Sequence, residues 1–163
     1  MNESYREWYI QGLQALKSAS ELGKQAAQAS ADAATNPELK RAVQEGSQKA
    51  EEHARIIGQL LEKAGGSAGG KQNEIMEGIC AGNQQVIEAA GDAETRDAAV
   101  IASGQIALHY YIAAYGTLAS TAKHLGLTEE AAQISAMNDD IKAQDERYTQ
   151  MAESFINSDA KAA

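Results

Sequence analysis

Three residue types that most folds spend freely are scarce in this chain. It has one cysteine, one proline and one phenylalanine among 163 residues, and aromatics reach only 5%. A single thiol excludes an internal disulfide framework and any cysteine-rich zinc or iron–sulfur centre. So few aromatics argue against a β-sandwich or barrel. No run of about 18 apolar residues exists, so no membrane-spanning helix is expected. The opening residues Met1 to Glu7 lack the basic-then-apolar order of a signal peptide. Basic residues are also outnumbered: 14 Lys and Arg face 23 Asp and Glu, for a formal charge of −9. That sign repels phosphate backbones and anionic headgroups, so neither nucleic acid nor a membrane surface is an expected partner. A cytoplasmic protein is the expectation.

Alanine is abundant, at 33 residues or about 20%. Together with a single proline, this is the signature of long helices. A length of 163 residues suits one domain, 1–163. A first periodic stretch covers about 4–34. Pro37 suits the first turn of a second helix, capped by Thr35 or Asn36 and ending near 64. Residues 65–70 read Gly-Gly-Ser-Ala-Gly-Gly, a linker with a helix stop. A shorter stretch covers about 71–90. Asp92 caps a fourth helix that reaches Gly126, and Thr128 starts a fifth that runs to about 157. The tail 158–163 is expected to fray. Apolar and small residues recur at helical spacing, as Leu39, Val43, Gly46, Ala50, His53, Ile57 and Leu60 in the second stretch. In the fourth the series is Ile101, Ile106, His109, Ile112 and Leu118. Four long amphipathic helices and one shorter helix predict an all-α four-helix bundle with a short additional connecting helix.

The chemical motifs are sparse. The Gly-rich stretch lacks the Lys-Ser/Thr of a phosphate-binding loop and joins two helices, so it is a linker. Cys80 lies beside Ile79 with no nearby histidine, which suits a buried small hydrophobe better than a nucleophile. Glu51-Glu52-His53 draws attention because bundle metal sites use Glu-x-x-His, where i and i+3 share a helix face. Three residues before His53, however, stands Ala50. His53 falls on the apolar stripe, where a histidine is usually just hydrogen-bonded. Tyr111 and Tyr115 share a face and suit a packed core or helix seam, with a pocket for a small apolar ligand as the alternative. Tyr5, Trp8 and Tyr9 either fold back on the bundle or leave a patch for self-association. Glu129, Glu130, Asp139, Asp140, Asp145 and Glu146 read as a solvated acidic face.

Three strings go further. Met76-Glu77-Gly78 is followed by Val86-Ile87-Glu88. Next comes Arg96-Asp97-Ala98-Ala99-Val100-Ile101-Ala102. The third is His109-Tyr110 with Ile112-Ala113-Ala114-Tyr115-Gly116-Thr117-Leu118-Ala119 and Leu125-Gly126. Together they resemble the YciE/YciF-type ferritin-like family of bacterial stress proteins, most closely over about 76–126. The resemblance implies a ferritin-like bundle, a dimer, and a pair of metal ions held by helix-borne Glu, His and Asp.

Carried over residue by residue, that metal set mostly fails. The family's Glu-His-Tyr-Glu is Leu108-His109-Tyr110-Tyr111 here. Its Glu-x-x-His positions fall on Gln48 and Glu51, and its paired Glu on Ala81 and Gly82. An acidic pair falls on Asp140 and Ile141, with a later Asp kept as Asp145. Two hard cations in a bundle need about four carboxylates besides nitrogen ligands. The pattern suits a centre that packs dry or nearly so. The leading expectation is therefore a non-enzymatic structural or interaction protein with a degenerate di-metal site, no catalytic residues and no cofactor, forming a homodimer. The alternative is an iron- or manganese-binding protein with oxidase or peroxide-handling activity. It would use the displaced set Glu21, Glu51, His53, His109 and Asp145.

Overall fold

The computed structural model describes residues 2–67 and 72–163. Glycines 69 and 70 of the expected linker, and the expected start of the third stretch at Lys71, lie outside the described residues. The remainder is helical: α1 (Glu3–Ala33), α2 (Pro37–Lys63), α3 (Glu74–Glu88), α4 (Ala93–His124), α5 (Thr128–Met151) and α6 (Asn157–Ala162), with a π-helical turn at Ala152–Ile156 joining the last two.

Local chemistry sets the helix ends. The Asn36 side chain accepts from the amides of Glu38 (2.9 Å) and Leu39 (3.1 Å), with Pro37 in the first turn where no amide is needed. Asp92 accepts from Thr95 N at 2.7 Å and caps α4. Gly65 (φ +80°) and Gly126 (φ +78°) take the left-handed conformation that closes α2 and α4. The bond from Leu127 N to Ala122 O (2.9 Å) completes the second of these stops. The tail does not fray as expected: the helix continues to Ala162 and α6 packs against α4.

Three-residue turns make α1/α2 and α4/α5 antiparallel hairpins. Arg6 reaches Ala64 O (2.7 Å) at one end of the first hairpin, and Lys63 reaches Glu130 (2.6 Å) near the start of α5. Gly12 lies against Leu118, while Thr35 bonds Asp97, so α4 runs antiparallel to α1. The four long helices therefore run up, down, down, up. Returning from the bottom of α2 to the top of α4 needs a long crossover, and α3 lies within it, packed on α1 and α4. This is the expected four-helix bundle with one connecting helix.

The interior is in two parts. One cluster gathers Tyr9, Leu13, Leu16, Ile57, Leu118 and Ile134 near the α4–α5 turn. The other gathers Leu39, Val43, Val100, Ile101, Tyr148 and Met151 near the α1–α2 turn. Between them no residue is buried from Ser20 to Ala31 on α1, from Val43 to His53 on α2, from Ser103 to Tyr115 on α4, or from Ile141 to Tyr148 on α5. The expectation of a packed centre fails here. Alanine, glycine and serine at this level are too small to meet across the bundle, and a cavity of about 920 Å³ results.

Candidate functional site

The cavity is walled by all five long or connecting helices. From α1 come Ser20, Gly23 and Ala26, and from α2 Gly46, Ala50 and His53. Helix α3 contributes Cys80 and Ala81, α4 contributes Ala107, Leu108 and Tyr111, and α5 contributes Asp140, Ile141 and Tyr148. Most of this wall is apolar.

Its polar groups are largely engaged by neighbours. Tyr111 donates to Ala19 O at 2.6 Å, and Gly23 is the close neighbour of that hydroxyl, where a Cβ would collide with it. Burial drives the hydroxyls of Tyr111 and Tyr115 far above the ordinary phenol value, so both stay protonated. Tyr111 and Tyr115 stack obliquely with centroids 6.2 Å apart, and Tyr115 meets the His53 ring edge-on at 5.9 Å. Cys80 is half-buried, its thiol pushed up by burial.

Along the α2–α5 seam, charges close the cavity's edge in pairs. His53 Nε2 and Lys49 Nζ both reach Asp140 Oδ2, at 3.2 and 3.1 Å. Arg147 pairs with Glu45, and Gln144 donates to Ala42 O at 3.1 Å. Burial lowers the pKa of His53, outweighing the hydrogen bond and charge of Asp140 that raise it. For Asp140 burial acts upward, yet the bonds from Lys49 and His53 together bring it below the ordinary value. At neutral pH the pair is thus a neutral imidazole donating Nε2–H to a carboxylate, which leaves Nδ1 as an acceptor.

The displaced set proposed from sequence is not brought together. Glu21 is exposed, 4.0 Å from Lys17, and Glu51 is exposed and bonded to Lys24 at 2.7 Å. His53 faces the cavity. His109 projects from the outer face of α4, with 68% of its side chain exposed, and meets Asp145 at 3.2 Å. Among the described residues no three His, Cys, Asp or Glu side chains converge as an ion would need. Of the positions carried over from the resemblance, Leu108, Tyr111 and Ile141 line the cavity, with Ala81 and Asp140 at its exposed rim, whereas Gln48, Glu51 and Gly82 lie outside it. On α2 the cavity-facing pair at i and i+3 is Ala50 and His53, because Glu51 lies about 200° around the helix from His53. The groups present are one neutral histidine, one carboxylate already holding a lysine, and protonated tyrosines. They do not fit a pair of hard cations.

Sequence reading missed the seam. Lys49, Glu45 and Arg147 carry no motif, and Asp140 figures in the sequence only as part of an acidic face and as one of the acidic pair that the resemblance implies. Only the i, i+4 spacing of Glu45 with Lys49, facing Asp140 and Arg147, hinted at it.

The sequence matches, over residues 4–161, the family described as "Domain of unknown function (DUF892)". The chain belongs to this family. It is similar to the protein YciF of Escherichia coli strain K12, 40% identical over 86 residues, 53% of this chain and 52% of that relative. That alignment spans about half the length of the curated relative. The crystal structure of the E. coli stress protein YciF matches more fully, with a TM-score of 0.88, 30% identity, and 94% of this chain and 97% of that chain covered. The structure of YcfI from Rhodopseudomonas palustris is also similar in fold, with a TM-score of 0.85, 22% identity and coverage of 89% and 92%. The chain is an all-α ferritin-like bundle of the YciF type, and among its described residues no helix is long and apolar enough to cross a membrane.

Proposed function

We propose that this chain is a non-catalytic ferritin-like protein of the bacterial stress response, acting as a structural or interaction protein in the cytoplasm, its di-metal site degenerate. The observation that carries this reading is the cavity wall. Ala50, Ala81, Leu108 and Ile141 stand where a bundle of this type would present ligands, and Tyr111 is held protonated by burial. Four neutral apolar side chains cannot balance two divalent charges, and an uncompensated cation in such a wall would cost tens of kcal/mol in the Born limit. The stress association rests on the 30% identity to E. coli YciF across nearly the whole chain.

Elemental analysis of protein purified from iron- and manganese-replete cells tests the reading. Metal far below one ion per chain is the expected outcome. Near-stoichiometric iron or manganese would replace it with the oxidase or peroxide-handling alternative. The working unit is a homodimer. Trp8, 50% exposed and stacked on Tyr5 with centroids 6.0 Å apart, is the residue on which self-association rests. Light scattering should give twice the chain mass for the wild type and the monomer mass for Trp8→Lys.

A further inference from the structure

The waist has a size, a shape and a charge balance that together point to a ligand. Its volume, about 920 Å³, is at the upper end of the roughly 300–1,000 Å³ typical of small-molecule sites. It is elongated: on α1 its lining runs from Ser20 to Ala33, which at 1.5 Å per residue is about 20 Å. Its walls are mostly alanine, glycine and aliphatic side chains, and its uncharged polar groups are hydroxyls, the Cys80 thiol, the carboxamides of Gln25, Asn83, Gln84 and Gln144, and one neutral imidazole. The charges at its α2–α5 edge are matched in pairs, Lys49 with Asp140 and Arg147 with Glu45, and Glu88 at the α3 rim is exposed to water and takes the Gln84 amide at 2.7 Å. No cation in these pairs is left for a carboxylate or phosphate, and no carboxylate for an amine. A charged ligand would break one pair or bury its charge alone, and both are costly.

We infer that the waist of the bundle is a binding site for an uncharged, elongated apolar molecule with one hydrogen-bonding end, the chemical class of a long-chain alcohol. The hydroxyl end lies at the α2–α5 side, where His53 Nδ1 accepts its proton while Nε2 stays on Asp140. The chain lies between Ala26, Ala107 and Leu108. The inference rests on the degenerate-site reading, since two bound ions would occupy the same level of the bundle.

The test uses the full-length chain and N-phenyl-1-naphthylamine, an uncharged dye that brightens in apolar surroundings. Saturable binding is expected, displaced by 1-dodecanol, with dodecanoate and dodecylamine weaker by about tenfold or more because each brings a charge that must be desolvated. Ala107→Phe fills the waist and should abolish binding while raising or preserving the thermal midpoint. Ile106→Glu removes the exposed side chain one position along, 52% accessible on the outer face of α4, and should leave binding unchanged. Wild-type affinity in Ala107→Phe, loss of binding in Ile106→Glu, or equal displacement by the charged analogues would each overturn the inference.

Should Ala107→Phe fail to fold, alkylation of Cys80 reads the same wall in the wild type. Dodecanol should slow its reaction with N-ethylmaleimide, and an unchanged rate would sink the proposal. Protection that rises with protein concentration alone would place a second copy over the waist and overturn it too. Metal analysis of the same preparation separates the two failures. Stoichiometric metal overturns the functional reading and this inference with it. A metal-free chain without dodecanol-displaceable binding overturns this inference alone.

Discussion

A buried carboxylate is tolerated in a small bundle only when its oxygens are fully bonded. Asp97 meets that condition: its carboxylate accepts from Thr35 N (2.7 Å), Thr35 Oγ1 (2.7 Å) and Asn36 N (2.8 Å), tying the α1–α2 turn to α4. In the sequence, Asp97 stands out only as part of the string that carries the family resemblance. Its partners lie more than sixty residues away, so no local pattern reveals them. Asp97→Ala should lose about 3 kcal/mol, since two part-buried amides and the Thr35 hydroxyl lose a charged acceptor, seen as a lower urea midpoint at unchanged slope. Tyr9 is the opposite case. Its hydroxyl is buried without a partner, its pKa pushed up to about 12 by burial and then by Glu130. Tyr9→Phe should raise stability by about 1 kcal/mol in the same titration. His53 gives the pH dependence. Its folded pKa lies below the ordinary 6.5, so protonation favours the unfolded chain. Stability should be full above that value and fall as pH drops through 6.5 toward the lowered folded pKa, and His53→Gln should flatten this slope in a series of thermal midpoints. Asp140, also lowered, adds a second loss as pH falls below 3.8.

At the scale of the element, α2 and α4 contrast. The stripe Leu39, Val43, Gly46, Ala50, His53, Ile57 and Leu60 faces inward throughout, against core or cavity. Helix α2 is solvated on one side, so its pattern has a single phase. Helix α4 is contacted by α1, α3 and α5, and its apolar residues are spread around it. The series Ile101, Ile106, His109 therefore misleads: Ile106 lies about 140° around the helix from buried Ile101, and Ile106 and His109 point outward. Helix α3 is anchored at its start, where Asn73 donates to Ala15 O (2.9 Å) and Tyr110 Oη (2.5 Å) and accepts from Met76 N (2.9 Å). Beyond that, Met76 is its one buried residue, and Ile75 and Val86 are exposed. Amide exchange in α3 should accordingly be faster than in α1, α2, α4 or α5, and Asn73→Ala should speed it further. Equal protection across the five helices would show that α3 opens only with the whole bundle.

The whole molecule is two packed ends joined across a hollow waist. Each end buries its own apolar set, and the helices run continuously through both, so the ends are mechanically coupled while the middle is crossed mainly by Tyr111 and Gln144. On the proposed reading no ion holds the centre of this fold. Its thermal midpoint should be unchanged by a chelator, whereas binding of ions to the native state alone would add stability as RT ln(1 + [L]/Kd) and make the midpoint fall on chelation. The same architecture explains why filling the waist at Ala107 is expected to stabilise: the new ring gains dispersion contacts where the wall has none.

Helix number, helix ends and connection order were set by local chemistry: alanine content, the Asn36–Pro37 cap, Asp92, and glycines with positive φ. These act within a few residues, so the linear chain displays them. That Ala81, Leu108 and Ile141 fall where the resemblance implies ligands is equally legible in the sequence. What the chain could not display was distance across the bundle. Whether small side chains on facing helices meet or leave a gap depends on how far apart the backbones stand, and that is fixed by the bulky clusters at either end. Hence the pairing of His53 with Asp140, the burial of Asp97 and the hollow between the two cores were decided only when the helices packed.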